Sequence, residues 1–471
     1  MSTFVFSRRY LQQCLDALNG ILSHTQLTNL ADRLNAMNSD RLPAMWEVVV
    51  LKSLSTLGTL RHEVELSSGR RPDFELQSIV GNSATLIVGD VATVSDAGLD
   101  DRNPVGTLRN EITRLARKHR LEANHFQYRI EGGRTGVAGR SSRVQLSLPQ
   151  KQELREIIRV DVEPFIRDIS QQSKNVASYV HNVGDVKFTI QYDNARRYMM
   201  GGHPSYTVAL SLSNNPLANA LAAKIKQLRR APQSAIRVVV LCDGGCDIMT
   251  SDAHTPETFD RREIVRDVLR QSSVLDLVVL VSVKETGFGR TYKLALRVEF
   301  VWTKRTRDDS SEKTLPSRLA AAFGWHARRM SKVEQAESRE ATFLAVERAL
   351  DRAFKSVPTP QQTPSNASIR GMLFQIGPDN IGAYKGGGNS VKISSRALVR
   401  LLAGEISSTD FFVQQWGGNS VSPHSNPFQH MFSEGRMIKS VNVENGGDED
   451  DDWLEFEFGD PDAAAAPFVV K

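Results

Sequence analysis

Apolar residues recur at three- and four-residue intervals through "YLQQCLDALNGIL" (10–22) and "LTNLADRLNAM" (27–37), which predicts a small helical unit over residues 1–40. The stretch "RLPAMWEVVVLKSLSTLG" (41–58) places Pro43 near a helix start and Gly58 at its end, with Trp46, Val49, Val50, Leu54 and Leu57 available for a buried face. Three strands are predicted next, at 59–66, 71–79 and 84–94. The last, "ATLIVGDVATV", is continuous enough in its first half to be a central strand. After the break "SDAGLDDRNP", a helix over 105–121 carries the stripe Leu108, Ile112 and Leu115. Helix, strand, strand, strand, helix is most simply buried by a mixed α/β sheet.

Farther along, the pattern predicts strands at 143–148, 186–191 and 206–212, a helix around 150–170 and a basic helix over 217–230. A second α/β segment starts with "AIRVVVLCDGG" (235–245). It continues through a helix to the strands "VLDLVVLVSVKE" (274–285) and "TYKLALRVEFVWTK" (291–304). This periodicity fits both a separate domain and an extension of the first sheet. A long helical stretch (316–354) leads to a Pro/Ser/Thr/Gln-rich linker (355–368), then to short strands, glycine runs and the helix "RALVRLLAGE". The terminal "WLEFEF" (453–458) alternates as an edge strand would. The predicted organisation is a helical unit (1–40), a core (41–125), an additional α/β region (126–355), a linker (356–370) and a C-terminal accessory module with an acidic terminus (371–471).

Composition narrows the class. Hydrophobic residues make up 40% of the 471 residues and charged residues 24%, as in globular proteins rather than disordered chains. The longest apolar runs, such as "LDLVVLVSV" (275–283), fall far short of the roughly 20 residues that span a bilayer. The N-terminus lacks a secretory pattern, and Cys14, Cys242 and Cys246 do not suggest a disulfide scaffold, so a cytoplasmic location without membrane association is expected. The formal charge is +5 despite the acidic run at 446–460, so the rest of the chain is more basic than its total and suits a polyanionic partner.

Asp73 in "GRRPDFEL" (69–76) and Asp90 in the third strand have the spacing that lets adjacent strands bring two carboxylates together. Two such oxygen donors suit Mg²⁺, with Glu47 on the preceding helix as a third carboxylate and Arg70 and Arg71 as phosphate contacts at the edge. The segment "LCDGGCDIM" (241–249) sets Cys242, Asp243, Cys246 and Asp247 in a loop after a buried strand; with no second ligand pair, it reads as a packed turn rather than a zinc site. HExxH, GxSxG and GxxxxGK[ST] patterns are absent from the sequence.

Over residues 41–125 the chain resembles the PD-(D/E)xK nuclease superfamily: a helical glutamate (Glu47), "PD" at Pro72 and Asp73, and "DVA" at 90–92 followed by a helix. The resemblance implies an α/β restriction-endonuclease-like core with a mixed sheet, accompanied here by a second α/β region and a small C-terminal module. It also implies a metal-dependent DNA endonuclease similar to effectors of bacterial anti-phage defence, with Mg²⁺ or Mn²⁺ on Asp73 and Asp90 and Glu47 assisting. The family lysine position falls on Ala92. Either the ammonium comes from elsewhere, with Lys118 and Arg117 nearest in sequence, or the site is inert. Arg70, Arg71, Arg109 and Arg117 are the expected nucleic-acid contacts, with DNA preferred over RNA and a homo-oligomer or defence-complex partner expected. Two other readings stand beside it: an inactive nucleic-acid-binding or assembly subunit that retains the scaffold, and a protein-interaction platform using the acidic terminal strand.

Overall fold

The structure, a computed structural model, describes residues 5–36, 40–67, 69–80, 83–137, 141–252, 257–286, 293–302, 325–367, 384–387, 389–404, 427–444 and 452–462. The hydroxyls of Ser7 and Ser23 accept hydrogen bonds from the N–H groups of Tyr10 and Gln26, and so cap the starts of α1 (Arg8–Leu18) and α2 (His24–Asn35). Helix α3 (Arg41–Ser55) buries Leu42, Met45, Trp46, Val49, Leu51 and Leu54, too wide an apolar surface for a single contact. It is covered by α1 and α2 on one side and by the sheet on the other. Strands β1 (Gly58–His62), β2 (Phe74–Val80) and β3 (Ser83–Val94) follow as an antiparallel meander.

The chain then leaves the sheet to build a second unit: α4 (Ala97–Arg102), α5 (Val105–Lys118), β4 (Phe126–Ile130), β5 (Gly132–Thr135), β6 (Arg143–Leu146), α6 (Lys151–Ile157), α7 (Glu163–Gln171), β7 (Val176–Val183), β8 (Val186–Asp193) and β9 (Met200–Gly202). A π-helical turn, Ile158–Val162, joins α6 to α7. Its four-stranded sheet has the order β7-β8-β4-β9, and β5 and β6 pair separately. The apolar stripe predicted for α5 (Leu108, Ile112, Leu115) packs with Phe126, Phe188 and Ile166 in this unit's own core. Helix α5 stops at Lys118 rather than at 121 because Arg120 adopts a left-handed φ of 57°, which turns the chain out of the helix.

The chain returns to the first sheet through α8 (Pro216–Leu228), β10 (Ile236–Asp243), α9 (Asp247–Thr250), α10 (Arg261–Gln271), β11 (Leu277–Thr286) and β12 (Lys293–Trp302). One mixed sheet of order β1-β2-β3-β10-β11-β12 results, with β3, β10 and β11 parallel and β12 antiparallel to β11. The segment from 236 to 302 is therefore part of the first sheet. Its β10 and β11 are buried on both faces, hence their unbroken apolar runs. One face packs on α1, α2, α3 and α11 (Trp325–Lys355), where Val346, Leu350 and Phe354 are buried. The other carries α8 and α10, with Leu217, Leu221, Ile264 and Val265 inside. The indole N–H of Trp46 donates to the Asp243 carbonyl at 2.6 Å and pins α3 to the end of β10.

The C-terminal part comprises α12 (Pro364–Ala367), β13 (Tyr384–Gly387), β14 (Ser390–Ser394), α13 (Ser395–Leu402), α14 (Pro427–Ser433), β15 (Ile438–Glu444) and β16 (Trp453–Phe458). Its separate sheet has the order β13-β14-β16-β15. "WLEFEF", expected at an edge, is thus an interior strand paired on both sides. The predicted strand at 206–212 is also not formed. The Ser211 hydroxyl accepts from the N–H groups of Ser213 and Asn214, and this local turn takes the backbone away from a ladder. The acidic residues 446–451, Gly388 and the first residues of the predicted 316–354 helix lie outside the described residues. Among the described residues no helix is long and apolar enough to cross a membrane.

Candidate functional site

Phe74 opposite Gly89 is the first pair of the β2–β3 ladder, so the next position along brings Asp73 against Asp90. β2 begins here because Pro72 has no N–H to give to a ladder. β3 continues past it, paired only with β10, and the N–H of Val91 loses its strand partner. The Asp73 carboxylate takes over that role: its Oδ2 accepts from the Val91 N–H at 2.7 Å, while the Asp73 N–H donates to Asp90 Oδ1 at 3.3 Å. The close approach of the strands depends on Gly89. A Cβ there would lie 2.4 Å from both the Phe74 ring and the Val238 carbonyl oxygen.

Side chains alternate along β3, so Asp90 shares a face with Val88 and Ala92, the face covered by α8. From α8 comes the third member of the site. Lys224 Nζ lies 3.3 Å from Asp90 Oδ1 and 3.4 Å from Asp73 Oδ2, bridging the two carboxylates. The Asp90 side chain is 0% exposed, and its Oδ2 is buried without a hydrogen-bond partner. Burial pushes its carboxyl up; Lys224 opposes this and Asp73 reinforces it, leaving the group at about 6. Burial also raises the Asp73 carboxyl, against the pull of Lys224 and the Val91 N–H and with a further push from Glu47.

Glu47 does not join this pair. Its Oε2 accepts from Arg33 at 2.8 Å and its Oε1 bonds the His62 ring at 3.2 Å. Burial works against its ionisation, but His62 and Arg33 outweigh it and hold the carboxyl below its usual range. It therefore acts on the site as a fixed negative charge behind Asp73.

Lys118, expected to substitute for the family lysine, instead bonds Glu163 on α7 within the second unit; the ammonium at the carboxylates belongs to Lys224. Arg109 and Arg117 are exposed on α5 in that same unit, away from the pair in the fold. Arg71 is exposed and paired with Glu65 at 2.8 Å, and Arg70 is exposed in the turn leading to Asp73. Lys224 left a trace in the sequence that a reading of 217–230 as a basic helix passes over. It lies three residues after Leu221 and four before Leu228, on the stripe that those two buried residues define. A lysine on a buried stripe needs a buried partner.

The donor set fits a hard divalent cation. Mg²⁺ is commonly held by one or two carboxylates together with waters and substrate oxygens, and the Asp90 Oδ2 is an oxygen the protein itself leaves unsatisfied. Among the described residues no group of three or more His, Cys, Asp or Glu side chains is arranged to hold a metal. At the end of β10, Cys242 and Cys246 are buried thiols pushed up by burial, and Asp243 caps its own turn by accepting from the Gly245 and Cys246 N–H groups. This matches a packed turn. No family model, curated protein or solved structure matches the chain.

Proposed function

We propose that the chain is a metal-dependent nuclease of the PD-(D/E)xK type that hydrolyses DNA phosphodiesters, with Lys224 in the role of the lysine that Ala92 replaces. The observation that carries this reading is the single ammonium within 3.4 Å of both strand carboxylates. The mixed sheet supports it too, since it sets the two acids on adjacent strands with a glutamate-bearing helix behind them.

Asp73 and Asp90 would hold the cation, which when bound polarises a phosphodiester and lowers the pKa of an attacking water. Lys224 offsets one of the two negative charges in the protein as it stands and would donate to a phosphoryl oxygen as negative charge develops there. Glu47, locked by Arg33 and His62, keeps a second charge behind Asp73 without taking up a proton. Arg70, at the exposed entrance, contributes a positive charge for the substrate backbone.

Purified wild type, Asp90→Asn and Lys224→Met are to be compared on single- and double-stranded DNA and RNA with Mg²⁺, Mn²⁺ or EDTA. Metal-dependent DNA cleavage by wild type that both variants lose is the expected result. Cleavage retained in Lys224→Met removes the assignment of that lysine. No wild-type cleavage with any substrate or metal favours a second reading, a binding subunit on the same scaffold. The observation behind that alternative is that Lys224 already bridges both carboxylates.

A further inference from the structure

All of the chain's net positive charge resides in the second unit. Residues 97–206 carry 18 Lys and Arg against 12 Asp and Glu, a formal +6, whereas the whole chain is +5. In the four-stranded sheet of this unit alternate residues separate cleanly. Phe126, Tyr128, Ile130, Phe188, Ile190 and Tyr192 point into the core. Gln127 and Arg129 on β4, and Lys187, Thr189 and Gln191 on β8, take the opposite face. The register places Gln191, Gln127 and Met200 in one row and Thr189, Arg129 and Gly202 in the next. A groove of about 890 Å³ lies along this face, lined by Arg129, Lys187, Gly202 and His203, with Glu131 and Asp185 also on its wall.

Two features of this face together point to a ligand. Some cations of the unit are paired with acids, Arg114 with Glu111, Lys118 with Glu163, Arg159 with Glu156 and Lys174 with Asp168. Arg129, Lys187, Arg196 and Arg197 have no carboxylate partner among the described residues, and Arg196 keeps a buried Nη1 without an acceptor. Large apolar side chains stand in water beside them: Val176 is 71% exposed, Val180 65%, Met200 54% and Tyr198, at the entry to β9, 77%. Unspent cations next to an exposed aromatic suit a ligand that offers phosphates and flat bases together.

We propose that the outer face of the β7-β8-β4-β9 sheet binds single-stranded DNA, with Arg129, Lys187 and Arg197 meeting phosphates and Tyr198 stacking on a base. The choice of DNA rests on the nuclease reading; the charge and stacking argument stands apart from it. In a duplex the bases are already stacked on one another, so Tyr198 selects the single strand.

The test is fluorescence anisotropy of a labelled oligothymidylate with the full chain, in EDTA, across a salt series. Arg129→Glu with Lys187→Glu is expected to weaken binding about 10-fold or more and to flatten the log–log salt dependence by about 1.4, two phosphates at ~0.7 each. Tyr198→Ala is expected to weaken it roughly 5-fold or more. Arg197→Glu is a second charge variant, and unchanged circular dichroism and Tm identify folded variants. Wild-type affinity in the folded variants overturns the proposal, as does tighter binding of a duplex or of oligouridylate. Normal binding without cleavage removes only the nuclease reading, while cleavage with undiminished binding by the face variants removes only this one.

Discussion

The burial of Asp90 makes a quantitative prediction about stability and pH. Its carboxyl lies at about 6 in the folded protein against an ordinary 3.8. The folded chain therefore holds this proton more tightly than the unfolded chain does. The associated stability is fully present below about pH 3.8 and is lost as the pH rises through about 6. A rise of this size corresponds to about 3 kcal/mol, at ~1.4 kcal/mol per pH unit. Asp90→Asn mimics the protonated side chain and keeps the oxygen that accepts from the Asp73 N–H. Its stability relative to wild type should be near zero at pH 4 and grow to about 3 kcal/mol by pH 7.5. For a folding unit of 150–250 residues that is roughly 6–12 °C in Tm. Asp243, also at about 6, is common to both proteins and cancels in the difference. Differential scanning fluorimetry from pH 4 to 8 reads the effect. A difference in Tm that does not change with pH would refute the claim that Asp90 carries an uncompensated burial cost. Added Mg²⁺ should raise the wild-type Tm at pH 7.5 by relieving that cost, and should leave Asp90→Asn unmoved.

Four further substitutions test the pair and the sheet that carries it. Lys224→Met leaves two close carboxylates without their cation; it should cut cleavage roughly 100-fold or more and destabilise the protein more at pH 8 than at pH 5, while Lys118→Met should leave cleavage within about 2-fold, since Lys118 bonds Glu163 instead. Gly89→Ala forces a Cβ against the Phe74 ring and the Val238 carbonyl, and urea unfolding should show a loss of about 3 kcal/mol or more, with metal-dependent cleavage lost as the β2–β3 pairing opens. Glu299 is buried and shared by Arg261, Arg262 and Arg297, and Asp252 also pairs with Arg261 and Arg297, so Glu299→Gln removes one of two counter-charges and should cost about 1–3 kcal/mol in the same assay.

Contrasts among these residues show what the sequence could and could not carry. The strands that made the main sheet legible are buried on both faces or sit in a tight meander, and such strands announce themselves through unbroken apolar runs or short turns, as β3, β10 and β11 do. β7 was missed because its outward residues include Val176 and Val180, so hydrophobicity does not alternate with burial there. The same departure from alternation marks the face proposed to bind DNA. The approach of Asp73 to Asp90 followed from local spacing, but their lysine comes from 151 residues beyond Asp73, after an inserted unit with its own core. No window-based pattern reaches that far. What the window does contain is a lysine in line with two buried leucines, Leu221 and Leu228, a position that propensity and net charge both treat as unremarkable. Because an ammonium on that stripe is stable only beside a buried counter-charge, the pair Asp73 and Asp90 is as much a requirement of Lys224 as Lys224 is of the pair. A helix that must lower its lysine onto two strand carboxylates fixes the position of α8 on β3, so the group proposed to serve the chemistry also sets how the chain returns to the sheet.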